Sequence, residues 1–258
     1  MTSTAADQTS PGSAAIPVLT IHDETSERQD LAKRAEVKYA LDVADIGKLR
    51  SNLATNCRRQ VHNNPVSVVR SIYFDDAALS SCHANLDGIG SRRKLRLRWY
   101  DTLAPRNEFY LEIKWRETRV TGKHRLKVQS TKPVEQMTWS ELYALLDPVV
   151  PEHFRCALLR FPEPIIIVQY DREHFTSLDG QLRMTLDYNL TYYDQVGTTR
   201  VSTRFPQRLG DLVVVEGKVP VGHEPDLRRL LHPFVPRATR CSKYVHGCSL
   251  LNHVHFVD

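Results

Sequence analysis

Residues 92–100 read RRKLRLRWY. Lys94, Arg96 and Arg98 alternate with Leu95, Leu97 and Trp99, the period of two that sends successive side chains to opposite faces of a β-strand. A chain with this segment must cover one face with apolar groups. On the other it must compensate three like charges, by water, by carboxylates on neighbouring strands or by a polyanionic ligand.

The pattern recurs. In EFYLEIKW (108–115), Phe109, Leu111, Ile113 and Trp115 oppose Glu108, Tyr110, Glu112 and Lys114. HRLKV (124–128), placed after a turn at Thr121 and Gly122, sets Lys123, Arg125 and Lys127 together. RAEVKY (34–39) alternates Glu36 and Lys38 with Ala35, Val37 and Tyr39, and Asp42 or Asp45 caps a helix reaching Leu53. VSVVRSIYFDD (66–76), PIIIVQYDR (164–172), QLRMTLDYNLTYY (181–193) and DLVVVEGKV (211–219) are rich in β-branched and aromatic residues and read as further strands. Residues 138–160 read as helix interrupted by Pro148 and Pro151, and PDLRRLL (225–231) as another helix. No internal repeat or low-complexity linker separates these elements. The expectation is an α+β fold: residues 1–30 a disordered tail, rich in Ser, Thr, Ala and Pro, and residues 31–258 one domain built on an antiparallel β-barrel with flanking helices.

A charged strand face is ordinarily a solvated one. Such faces mix Ser, Thr, Asn and both charges, whereas these carry long cationic side chains with isolated glutamates. Closing the barrel with them inward would line its lumen with Arg, Lys and Glu, a surface suited to phosphate: guanidinium forks bind phosphate oxygens bidentately, and Glu holds a hard cation. The formal charge of +5 over 258 residues fits an anionic partner. Nucleic acid is disfavoured, because Trp99, Phe109 and Trp115 lie opposite the bases and cannot stack on a strand those bases hold. The five cysteines form no CxxC pair, which suggests a reducing, cytoplasmic setting. The tail CSKYVHGCSLLNHVHFVD has no common zinc spacing, and no Cys–His arrangement stands out in it. Aliphatic runs such as IIIV (165–168) fall far short of the roughly 20 residues of a membrane span.

Taken in order, EVKY (36–39), SIYFD (71–75), RRKLRLRWY (92–100), YLEIKW (110–115), YDR (170–172), LRMTLD (182–187), VVEGK (214–218) and CSKYVHG (241–247) resemble the VTC domain, the polyphosphate polymerase module of the vacuolar transporter chaperone complex. The match spans roughly residues 34 to 248. The resemblance implies the triphosphate tunnel metalloenzyme fold of the CYTH-like superfamily and a metal-dependent phosphotransferase. It implies that Lys38, Arg96, Arg98, Lys114, Arg125, Arg172, Arg183, Lys218, Arg240, Ser242 and Lys243 bind phosphate. Of these, Arg96, Arg98, Lys114, Arg172, Arg183 and Lys218 would be catalytic. Glu216, with Glu112 and Glu36, would hold Mn²⁺ or Mg²⁺, and the partners would be a nucleoside triphosphate and polyphosphate.

The sequence departs from the wider superfamily at Arg34, which stands where a Glu-x-Glu-x-Lys strand would begin, and Arg240 stands where the VTC pattern commonly has Lys. The eukaryotic modules sit beside membrane spans and sensor domains, so a membrane partner here would be a separate chain. Two alternatives share these residues: a metal-dependent tripolyphosphatase or nucleoside triphosphatase, and a non-catalytic polyphosphate-binding module.

Overall fold

The computed structural model describes residues 17–25, 34–118, 120–234 and 241–255. The alternating segments form an antiparallel sheet of β1 (Leu19–Asp23), β2 (Arg34–Asp42), β3 (Cys57–Gln60), β4 (Ser67–Asp75), β5 (Arg92–Tyr100), β6 (Glu108–Glu117), β7 (Val120–Ser130), β8 (Glu163–Ser177), β9 (Arg183–Asp194), β10 (Gln207–Leu209) and β11 (Leu212–Pro220). Around it lie α1 (Ile46–Asn56), α2 (Ser80–Leu86), α3 (Trp139–Leu146), α4 (Glu152–Arg160), α5 (Glu224–Leu231) and α6 (Lys243–Leu250).

The strand order is β1-β7-β6-β5-β4-β8-β9-β11-β2, with β10 on β9 and β3 on β8. Two expectations are corrected here. Among the described residues the sheet curls but does not close into a barrel, because β1 takes the free edge of β7 and leaves β2 as the opposite end of the order. The curl is bridged by side chains instead: Lys114 Nζ of β6 reaches Glu36 Oε1 of β2 at 3.0 Å. The supposed tail also contributes structure, since LTIHD forms β1 and buries Leu19 in the core. The remainder of residues 1–30 lies outside the described residues, apart from Pro17, Val18, Glu24 and Thr25.

The apolar strand faces are covered as their periodicity requires. Leu95, Leu97 and Trp99 of β5 and Phe109, Leu111 and Ile113 of β6 form one core with Leu142 and Leu146 of α3 and Phe154 and Leu158 of α4. Thr138 starts α3 with a reciprocal capping box to Glu141. A second core packs Leu49 and Leu53 of α1 and Leu227 and Leu231 of α5 on Leu186, Val213 and Val215. In a third, Tyr244 and Cys248 of α6 meet Ile166, Tyr192 and Tyr73, with Tyr244 stacked on Tyr73 at 4.9 Å between ring centroids. Gly247 permits this approach: a Cβ there would stand 2.5 Å from Ile166 Cδ1 and Tyr192 Cδ1. The close seat of α6 sets Lys243, one turn earlier, against the floor of the concavity.

Candidate functional site

The concave face of the sheet encloses a cavity of about 1620 Å³. The alternation of each strand places its charged residues there: Lys38 and Glu36 from β2; Lys94, Arg96 and Arg98 from β5; Glu112 and Lys114 from β6; Lys123 and Arg125 from β7; Arg172 from β8; Arg183 from β9; Glu216 and Lys218 from β11; and Ser242 and Lys243 at the start of α6. The structure therefore gathers every described phosphate-binding candidate into one space. Arg240 lies outside the described residues.

In the cavity's lining and directly behind it, buried carboxylates each gather several bases. Glu112, 1% exposed, accepts from Arg96 Nε at 2.7 Å and pairs with Lys123 Nζ at 3.1 Å and Arg125 Nε at 3.5 Å. Asp187, fully buried, takes Arg172 in a two-pronged contact at 2.6 Å and 2.6 Å, and Lys243 Nζ at 2.6 Å. Glu216 pairs with Lys38 Nζ at 2.7 Å and Arg172 Nη2 at 3.2 Å. Lys38 Nζ also lies 3.3 Å from Glu36. Burial alone would raise the pKa of Glu112 and Glu216. The surrounding bases outweigh it, Arg96 and Arg98 for Glu112 and Lys38, Lys243 and Arg172 for Glu216, and hold both well below the usual carboxylate range. Glu36 is held down to about 2: burial opposes, and Lys114 and Lys38 prevail.

Bases outnumber these carboxylates. Arg98 rests mainly on neutral oxygens, Ser71 Oγ at 3.1 Å and Tyr170 OH at 3.3 Å, with Glu112 at 3.9 Å. Arg183 and Lys218 face each other across β9 and β11 and make no ion pair with a described residue. Arg125 lies 3.7 Å above the Tyr110 ring. Thr185, opposite Glu216 and His174 in the neighbouring strands, has a buried hydroxyl without a partner.

Sequence reading did not assign Asp187, Lys94 or Lys123 to the site. Lys94 shares the period of Arg96 and Arg98, and Asp187 that of Arg183, so the signal was present. The pairing of Asp187 with α6, 56 residues further on, was not. A Cys–His contact also appears, with Cys241 Sγ 3.7 Å from His246 Nε2. Burial pushes the Cys241 thiol up rather than activating it.

The expected metal set is not assembled as three carboxylates. Among the described residues no group of three or more His, Cys, Asp or Glu is placed to hold a metal ion, and the oxygens of Glu112 are taken up by Arg96, Lys123 and Arg125. Glu36 and Glu216 do converge, both on the Lys38 ammonium.

The family model of the VTC domain matches residues 33–252. The chain belongs to the VTC domain family. Membership in this family supports a function related to polyphosphate or triphosphate. No curated protein matches this VTC domain. Among solved structures, it is similar to the putative adenylyl cyclase HpAC1 from Hippeastrum, described as having a dominant triphosphatase activity, at 16% identity and a TM-score of 0.47, over 86% of this chain and 97% of that one. It is also similar to the hypothetical protein NE1496, at 12% identity and a TM-score of 0.32, over 83% of this chain and 96% of that one. No helix among the described residues is long and apolar enough to cross a membrane.

Proposed function

We propose that this VTC domain is a polyphosphate polymerase. A terminal oxygen of the growing phosphate chain attacks the γ-phosphorus of a nucleoside triphosphate, and the bond from that phosphorus to the β–γ bridging oxygen breaks. The nucleoside diphosphate leaves with the electron pair. Such a transfer needs positioning and neutralisation of charge more than a side-chain nucleophile, and no general base is needed when the attacking oxygen is already ionised.

One observation carries this reading: within a single cavity, each buried carboxylate is already engaged by bases, and further bases remain without a carboxylate of their own. A chain of phosphates completes that charge balance. Arg96, Arg98 and Arg172 present guanidinium groups for phosphate oxygens, with Lys38, Lys114, Lys218 and Lys243 adding charge along the cavity. Arg183 and Lys218 supply charge near Glu36 and Glu216.

The residues fit a divalent cation of the Mg²⁺ or Mn²⁺ type, which takes one or two carboxylates and completes its shell with phosphate and water. Glu216 and Glu36, which converge on one point now held by the Lys38 ammonium, would hold it. Bound there, the ion would neutralise charge on the phosphoryl oxygens. Arg34, in place of an acidic residue, favours a phosphate acceptor over water, because a second water-activating cation lacks an obvious carboxylate at that position.

Product analysis tests the assignment. Purified protein given ATP and Mn²⁺ is expected to yield ADP together with acid-stable phosphate chains and little orthophosphate, and to stop when the divalent cation is omitted. Orthophosphate as the main product would make the domain a hydrolase. Salt-sensitive polyphosphate binding without nucleotide consumption under any divalent cation would make it a binding module.

A further inference from the structure

Lys94 is a cavity base that the ion-pair network leaves out. It faces Lys114 across the β5–β6 pair, and its Nζ donates to Ser242 Oγ at 2.8 Å. Among the described residues no carboxylate lies within ion-pairing distance of it. The charged and titratable groups around it are Lys38 from β2, Lys114 from β6, Arg92 from its own strand and Cys82 from α2, with Lys243 adjacent to its Ser242 partner on α6. Burial first, and then the charges of Lys38, Lys114 and Arg92, push its pKa well below the usual lysine range. Ser242 is the N-cap residue of α6 and makes no side-chain capping bond. Its hydroxyl can therefore accept from Lys94 and still donate its own proton. An ammonium has three donors, of which the serine takes one.

We propose that Lys94 and Ser242 form a seat for one phosphate oxyanion of the triphosphate or polyphosphate, and that the seat takes up a proton from solvent as it fills. This rests on the polyphosphate reading of the cavity. The amine gains the proton and becomes an ammonium opposite the incoming negative charge, and no bond in the phosphate chain is altered. Arg96, Arg98 and Arg172 cannot work in this way, because a guanidinium does not deprotonate in a protein. Lys94 thus spares the empty cavity one repulsive charge and restores that charge when an anion arrives. Phosphate affinity should accordingly weaken as rising pH makes proton uptake harder.

The test is titration calorimetry with inorganic tripolyphosphate at one pH in two buffers of different ionisation enthalpy, comparing wild type with Lys94→Met and Lys94→Arg. Protonation changes of tripolyphosphate itself are shared by all three proteins, so differences between them report on residue 94. Wild type is expected to take up about one proton more per site than Lys94→Met, which should bind roughly tenfold to a hundredfold more weakly, the scale of a lost charge-assisted hydrogen bond. Lys94→Arg, permanently charged, should bind without the extra proton. Thermal melts of the empty proteins should show Lys94→Met at least as stable as wild type. Equal tripolyphosphate affinity in wild type and Lys94→Met, or equal proton uptake in wild type and Lys94→Arg, overturns the proposal alone. Absence of tripolyphosphate binding in wild type overturns the polyphosphate reading with it.

Discussion

Glu112 shows what a single carboxylate does in this cavity. It is 1% exposed and is the shared counter-charge of Arg96, Lys123 and Arg125. Replacing it by Gln keeps the volume and leaves those bases facing one another without their shared counter-charge, a loss of up to about 3 kcal/mol, because Lys123 stays partly in water. Urea unfolding of Glu112→Gln is expected to show that loss, with tripolyphosphate restoring part of it. A variant as stable as wild type would mean that water already compensates these bases. His174 provides a pH signature. Burial, followed by Arg172 and His62, pushes its imidazole down to about 4 from 6.5. Between those values the unfolded chain binds more protons than the folded one, so stability rises with pH across roughly pH 4 to 6.5. Neutral above that window, His174 removes no stability at pH 7. His174→Gln should flatten the slope of unfolding free energy against pH there, and an unchanged slope would assign it to other groups.

At the scale of elements, periodicity located most strands but misjudged what local composition disguises. The reading of 92–100 coincides with β5, because a long alternation with a strongly apolar face admits one register. Thr121 and Gly122, read as a turn, lie inside β7. Gly122 stands opposite Trp115, where a Cβ would fall 2.1 Å from the indole; packing, not chain reversal, calls for glycine. Strand β1 has five residues and gains its definition from the edge of β7, a partner invisible in local sequence. Helix α2 begins after Leu79 in the left-handed region, at φ 54°, and its first amides donate to Asp75 and Asp76 at the end of β4 rather than to a residue at the cap position, so neither the cap position nor its length signals it. CSKYVHG was read as a motif without its helix, although α6 brings Lys243 to Asp187. Gly247→Ala tests that role. The added methyl meets Ile166 and the Tyr192 ring at 2.5 Å, and overpacking of this kind costs about 1–3 kcal/mol. Thermal denaturation should register the loss. Because the helix must shift to relieve the clash, phosphate affinity should fall too. A stability loss with affinity intact would show that α6 yields without moving Lys243.

Across the whole molecule, the sequence disclosed which faces were charged but not how they were balanced. Counting bases on strands pointed correctly to an inward cationic surface. Where the sheet stops, and that Lys114 and Glu36 rather than backbone pairing bridge the curl, depended on contacts between segments far apart in sequence. The same global balance predicts how the protein answers to salt. In the empty cavity Arg98, Arg183 and Lys218 lack close carboxylate partners of their own, so like-charge repulsion opposes folding, and mobile ions that enter the open side screen it. Raising NaCl from about 0.05 to 0.5 M, which shortens the Debye length from about 14 to about 4 Å, should therefore raise the melting temperature of the empty protein. With tripolyphosphate bound, the anion itself supplies the compensation, and the stabilisation it adds grows with its occupancy. Salt then weakens the attraction that holds it, so the melting temperature of the saturated complex should fall over the same range. Melting curves with and without tripolyphosphate across that salt series should converge. Parallel curves would mean that buried ion pairs rather than uncompensated bases dominate the cavity field. A fall in the empty protein's melting temperature would mean that those pairs, screened by salt, outweigh the repulsion on which the phosphate reading depends.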